Sequence, residues 1–157
     1  MFKSFFNKIF KPTHHSIPDF PIIIQSQESE CGPVCIKMIC DYYKIETSLD
    51  EIKTHSKWDE EYGTNLLGVE ECLKQFNFRT LGVKLDILAL HQAPLPLLLH
   101  WDDSKFILLY WIHNNRFYIA DPELGKFDID LNLFKNYWIK DDEGKEEGIA
   151  LLFEKLK

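Results

Sequence analysis

The chain holds 157 residues, enough for one domain, and its 45% apolar and 27% charged residues exclude disordered and fibrous classes. Its net charge of −7 argues against nucleic acid as a main partner. The longest apolar run, residues 106–112, falls far short of the roughly 18 needed to span a bilayer, and no signal-peptide block leads the chain.

In chain order, Phe2, Phe5, Phe6, Ile9 and Phe10 recur at the spacing of one helical face, flanked by Lys3, Lys8 and Lys11. Such a basic amphipathic helix suits a membrane surface or a docking partner; the alternatives are a tail or a helix packed on its own domain. Pro12 and Pro18 bracket a polar linker, so residues 1–20 read as an N-terminal segment and 21–157 as the folded domain. A helix is predicted from about Gly32 and Pro33 through Tyr43, with proline at the first helical position, where its missing N–H costs nothing. Ser48 and Glu51 form a capping box for a second helix. A third follows Thr64-Asn65 and runs to about Phe76, with Asn77 as a left-handed stop. Strands are predicted over 79–85, 96–101, 105–113, 116–121, 126–129 and 149–154, with Asn114-Asn115 as a tight hairpin turn. Helices followed by antiparallel strands indicate α+β.

The four cysteines, Cys31, Cys35, Cys40 and Cys72, fit neither a zinc pair nor a dense disulfide framework. Reduced thiols of a cytosolic protein are expected. No metal or nucleotide site is indicated, so no cofactor is expected. The informative stretch is 25–35, Gln-Ser-Gln-Glu-Ser-Glu-Cys-Gly-Pro-Val-Cys. It sets Cys31 just before a helix N-terminus, where free backbone N–H groups and the positive end of the dipole favour a thiolate. Gln25, six residues upstream, is placed to supply an oxyanion donor. The competing reading is that Cys31 is a small buried hydrophobe, as Cys35 and Cys40 are expected to be.

Gln25 to Cys31, followed by Gly32-Pro33 and an apolar helix, resembles the bacteriocin-processing cysteine peptidases. These are papain-like domains at the N-termini of ABC exporters that cut peptide leaders after a double glycine. The resemblance continues through Gly63-Thr64-Asn65-Leu66-Leu67-Gly68, Pro94-Leu95-Pro96 with His100-Trp101, residues 106–110, Tyr118-Ile119-Ala120-Asp121-Pro122, and Ile149-Ala150-Leu151-Leu152. It implies an α+β papain-like fold with N-terminal helices packed on an antiparallel sheet. It also implies Cys31 as nucleophile, Gln25 as oxyanion donor and Asp121 as orienting acid.

The family's general base is a histidine immediately before the apolar strand, a position held here by Lys105. An unperturbed lysine, with a pKa of about 10.4, is protonated at neutral pH and cannot accept the thiol proton. Bringing it to 7 would take roughly 4.6 kcal/mol of desolvation or like-charge repulsion. His100 matches an ordinary strand position, and His14, His15, His55, His91 and His113 carry no supporting pattern.

The resemblance therefore implies a proteolytically impaired domain that docks a leader or export substrate, beside the transmembrane and ATPase parts of an exporter. The expected location is the cytoplasm, at the inner face of the membrane, with Phe2, Phe5, Phe6, Ile9 and Phe10 as the membrane contact. The alternative is a working cysteine endopeptidase that cleaves after Gly-Gly.

Overall fold

The computed structural model describes residues 16–157. The aromatic face from Phe2 to Phe10 lies outside the described residues. A short 3₁₀ turn, Glu28–Glu30, leads into α1 (Cys31–Tyr42), followed by α2 (Leu49–His55) and α3 (Leu66–Gln75). Then come β1 (Phe78–Leu85), α4 (Ile87–Gln92), β2 (Leu97–Trp101), β3 (Lys105–His113), β4 (Arg116–Asp121) and β5 (Gly125–Asp130). The chain closes with α5 (Leu131–Trp138), β6 (Lys140–Asp142) and β7 (Lys145–Lys155). The seven strands form one antiparallel sheet in the order β1-β7-β2-β3-β4-β5, with β6 paired to β7.

The caps explain where the helices begin. Asn65 accepts from Gly68 N at 2.8 Å, and Asn77 stops α3 with a φ of 63°. Helix α1 starts at Cys31, so Pro33 is its third residue rather than its first. That position still falls among the first-turn N–H groups that have no helical acceptor, so proline costs nothing there either. The capping box at α2 is only half formed. Ser48 Oγ accepts from Glu51 N at 3.1 Å, but the Glu51 carboxylate takes the Thr47 hydroxyl at 2.6 Å instead.

The N-terminal helices pack on the antiparallel sheet as expected, and two short helices not foreseen from sequence cover its other face. Leu98, Phe106, Leu108 and Leu151 face α1–α3, while Leu97, Leu99, Ile107 and Leu109 face α4 and α5 through Leu90, Phe134 and Trp138. Strand β3 reads as a continuous apolar run because both of its faces are buried. Both unforeseen helices carry aspartate caps: Asp86 accepts from Ala89 N at 2.7 Å and Asp130 from Leu133 N at 2.9 Å.

Two further details refine the domain edge and the core. Phe20, assigned to the linker from sequence, is buried and stacks on Tyr110 with centroids 4.9 Å apart. Gly148 on β7 lies flat against Trp138, whose indole would sit 2.2 Å from an added Cβ. That indole also donates to Ile149 O at 3.0 Å and is fully buried, so it has no room to retreat. Gly148→Ala is therefore expected to destabilise the domain by about 2 kcal/mol, read as a lower urea midpoint at unchanged m-value.

Candidate active site

Cys31 occupies the first position of α1, half-buried, and the turn before it is tied down from several sides. The Glu30 carboxylate is buried and accepts from Ser26 N at 2.8 Å, Gln27 N at 3.3 Å and Lys53 Nζ at 2.6 Å. Burial pushes its pKa up, but the bonds from Lys53, Ser26 and Gln27 outweigh burial and hold it below the ordinary value. Lys53 also lies 4.1 Å from the centroid of the Trp58 ring, whose Nε1 donates to Ser29 O at 2.9 Å. Gly32 lets the next wall approach, since an added Cβ would meet Thr64 Cγ2 at 2.3 Å. Gly63, with a φ of +70°, brings that wall against Ser29 O.

On the opposite side stand the sheet residues. The register Leu108↔Ala120 sets the start of β3 beside the end of β4, which brings Lys105 to Asp121. Lys105 Nζ donates to Asp121 Oδ2 at 2.9 Å and to Glu123 Oε2 at 2.8 Å. Asp121 is fully buried, and its Oδ1 accepts from Glu123 N at 2.8 Å. Burial alone would lower the Lys105 pKa, but hydrogen bonds and charge from Glu123 and Asp121 reverse the direction and raise it. The ammonium is thus fixed in place, the opposite of what a general base needs.

The Cys31 thiol differs from the expectation of a lowered pKa. Burial pushes it up; backbone hydrogen bonds at Phe106 and Gly32, with the charge of Lys105, offset this only in part. The helix start was legible in the sequence, but the covering of the sulfur by β3 was not. Cys35, one turn on, is fully buried and donates to Phe106 O at 3.4 Å, as suits a packed thiol. All four cysteines are unbridged.

Gln25 reaches the site through its backbone. Its N–H donates to Pro122 O at 2.8 Å, which anchors the 16–25 segment next to Asp121. Its side-chain Nε2 donates to Glu28 O at 3.4 Å, and its Oε1 is buried without a partner among the described residues. The structure therefore gathers Cys31, Lys105 and Asp121 around the start of β3. Gln25 joins them from the Pro122 side, with its amide turned to Glu28.

Glu123 was missed from sequence, although an Asp-Pro pair marks a turn whose next residue can fold back on the aspartate. A cleft of about 380 Å³ opens at Cys31, with Ser29, Tyr62, Gly63 and Phe106 among its walls. No group of metal-binding side chains is assembled among the described residues. No helix among them is long and apolar enough to cross a membrane.

Residues 19–141 match the model of the peptidase C39 family. A probable microcin-H47 secretion/processing ATP-binding protein of Escherichia coli is 32% identical over 68% of this chain and 15% of its own length. The colicin V secretion/processing ATP-binding protein of the same organism is 31% identical over 67% of this chain and 15% of its own. The chain thus spans about 15% of the length of these curated relatives. Among solved structures, a double glycine motif protease from an AMS/PCAT transporter, in complex with its leader peptide, superposes with a TM-score of 0.79. It shares 24% identity, over 88% of this chain and 93% of that one. The peptidase domain of Streptococcus ComA follows at a TM-score of 0.74 and 20% identity, over 88% and 100%. These likenesses confirm the α+β peptidase fold.

Proposed function

The chain belongs to the peptidase C39 family, and from that premise we propose that it is a proteolytically impaired peptidase module that holds the leader or export substrate of an ABC exporter. The observation that carries this reading is the double clamp on Lys105, whose ammonium is shared by Asp121 and Glu123 where the general base is needed. A clamped ammonium takes no proton from Cys31, so the first step of acyl transfer is starved. The cleft, by contrast, opens at Cys31. Holding without cutting is the chemistry left to it.

The partners in this reading are a double-glycine leader and the transmembrane and ATPase parts of an exporter. The location is the cytoplasmic face of the membrane, with the Phe2, Phe5, Phe6, Ile9 and Phe10 face as surface contact, carried on the N-terminal segment that precedes the buried Phe20. The names of the relatives, which join secretion and processing to an ATP-binding protein, support the exporter partners.

The test is a synthetic double-glycine leader incubated with the purified chain. Saturable binding with negligible cleavage over hours is the expected result. Turnover that disappears in Cys31→Ala would replace it with the second reading, a working endopeptidase cutting after Gly-Gly. That reading draws on the pull of Lys105 charge on the Cys31 thiol.

A further inference from the structure

We propose that a patch on the folded domain, formed by Ile17, Ile22, Ile24 and Leu124, enters an anionic lipid surface together with the N-terminal segment. This inference rests on the membrane-surface reading of Phe2 to Phe10 above and names the part of the domain that faces the lipid. Residues 16–25 run as a strap outside helix and strand, pinned at two points. Phe20 is buried against Tyr110 and Tyr42, with ring centroids 4.9 and 5.1 Å away. Gln25 N donates to Pro122 O at 2.8 Å. Between these anchors burial alternates residue by residue, as it does along extended backbone. Ile23 packs on the core, while Ile22 and Ile24 turn outward.

Ile24 Cδ1 lies 4.0 Å from where a Cβ on Gly125 would sit, beside Leu124 on the β4–β5 turn. Leu124 is 68% exposed and Ile24 56%, and Ile17 is exposed where the strap begins. A single exposed apolar side chain is ordinary, but four on one pinned strap and its adjoining turn mark an interaction surface. Two features say what covers it. The strap directly continues residues 1–15, so its isoleucines extend an apolar series that begins at Phe2. The charge around it also suits anionic lipid. Residues 1–25 hold Lys3, Lys8 and Lys11 against one acid, Asp19, in a chain of net charge −7. Lys126, exposed two positions after Leu124, donates to Phe20 O at 3.1 Å and has no carboxylate partner among the described residues. Buried apolar area and attraction of lysines to acidic headgroups add in binding at a membrane interface.

The test is flotation of the full chain with phosphatidylcholine vesicles that contain about 30% phosphatidylserine or none. The natural chain is expected to float with the anionic vesicles. In the triple variant Ile22→Ser, Ile24→Ser, Leu124→Ser its partition coefficient should fall about tenfold. Leu81→Ser with Leu88→Ser removes equally exposed leucines from β1, at the opposite edge of the sheet, and from α4, and should leave partition unchanged. Urea midpoints verify that both variants fold. A triple variant that floats like the natural chain, or an equal loss in the Leu81 and Leu88 variant, overturns the patch and leaves membrane contact to residues 2–10. Equal flotation with and without phosphatidylserine overturns the choice of anionic lipid. A natural chain that stays off both vesicles overturns the membrane-surface reading and the patch with it.

Discussion

Lys105→His is expected to cleave a double-glycine leader on the order of 10³-fold faster than the natural chain, because a positioned general base contributes about 10²–10⁴. The thiol needs that base. Burial raises the Cys31 pKa, so at neutral pH the sulfur is protonated and cannot rely on its helix N-terminus alone. Lysine cannot serve, since Asp121 and Glu123 both stabilise its charged form. Imidazole, with a pKa near 6.5, titrates in the needed range, and the buried Asp121 already sits where it can orient the ring. Glu123 loses its partner in this variant, but its side chain is 58% exposed and water takes over. The measurement is kcat/KM against pH. A gain abolished by Cys31→Ala, with a rising limb between about pH 6 and 7, shows that only the base is missing. No gain would mean that a side chain at 105 does not reach the sulfur.

What the sequence discloses follows from how local each feature is. The Cys31 helix, the Asn65 cap, the Asn77 stop and the Asn114-Asn115 turn are set within a few residues; the last three stand where the sequence places them, and the helix starts a residue or two earlier. Helices α4 and α5 carried readable signals in Asp86 and Asp130, but both are short and follow strands, so the strand pattern obscured them. The apolar run of β3 read as a strand without disclosing that a second helical layer covers its far face. At the site, chemistry by residue type was legible and pairing was not. Lys105 stands out as the wrong residue for a base, yet nothing near it in sequence shows that Glu123 joins Asp121 in holding it. The raised thiol has the same origin, because β3 covers the sulfur from more than seventy positions away.

Lys105→Met should lower stability by about 2 kcal/mol, which makes the residue a structural element. Asp121 is fully buried and would keep only the N–H of Glu123 as a donor. Removing one partner of a buried ion pair typically costs about 3–5 kcal/mol, since the remaining charge is stranded. The lower figure applies because the lysine side chain is 20% exposed, so water reaches one side of the pair. Asp121→Asn in the Lys105→Met background is expected to recover at least half of the loss, giving a clear coupling term in a urea-melting double-mutant cycle.

The pH dependence has a definite sign. The Lys105 pKa is raised in the folded state, so its stabilisation is fully present below the unfolded lysine value of about 10.4 and fades only as pH climbs through the higher folded value. The gap between the natural chain and Lys105→Met should therefore hold constant from neutral to about pH 10 and close only above it. Glu30 behaves oppositely: its lowered pKa gives stability above the unfolded carboxylate value, lost as acid titrates the Lys53 pair. A gap that closed near pH 7 would mean that lysine 105 loses its proton there, and the impaired reading would fall with the clamp.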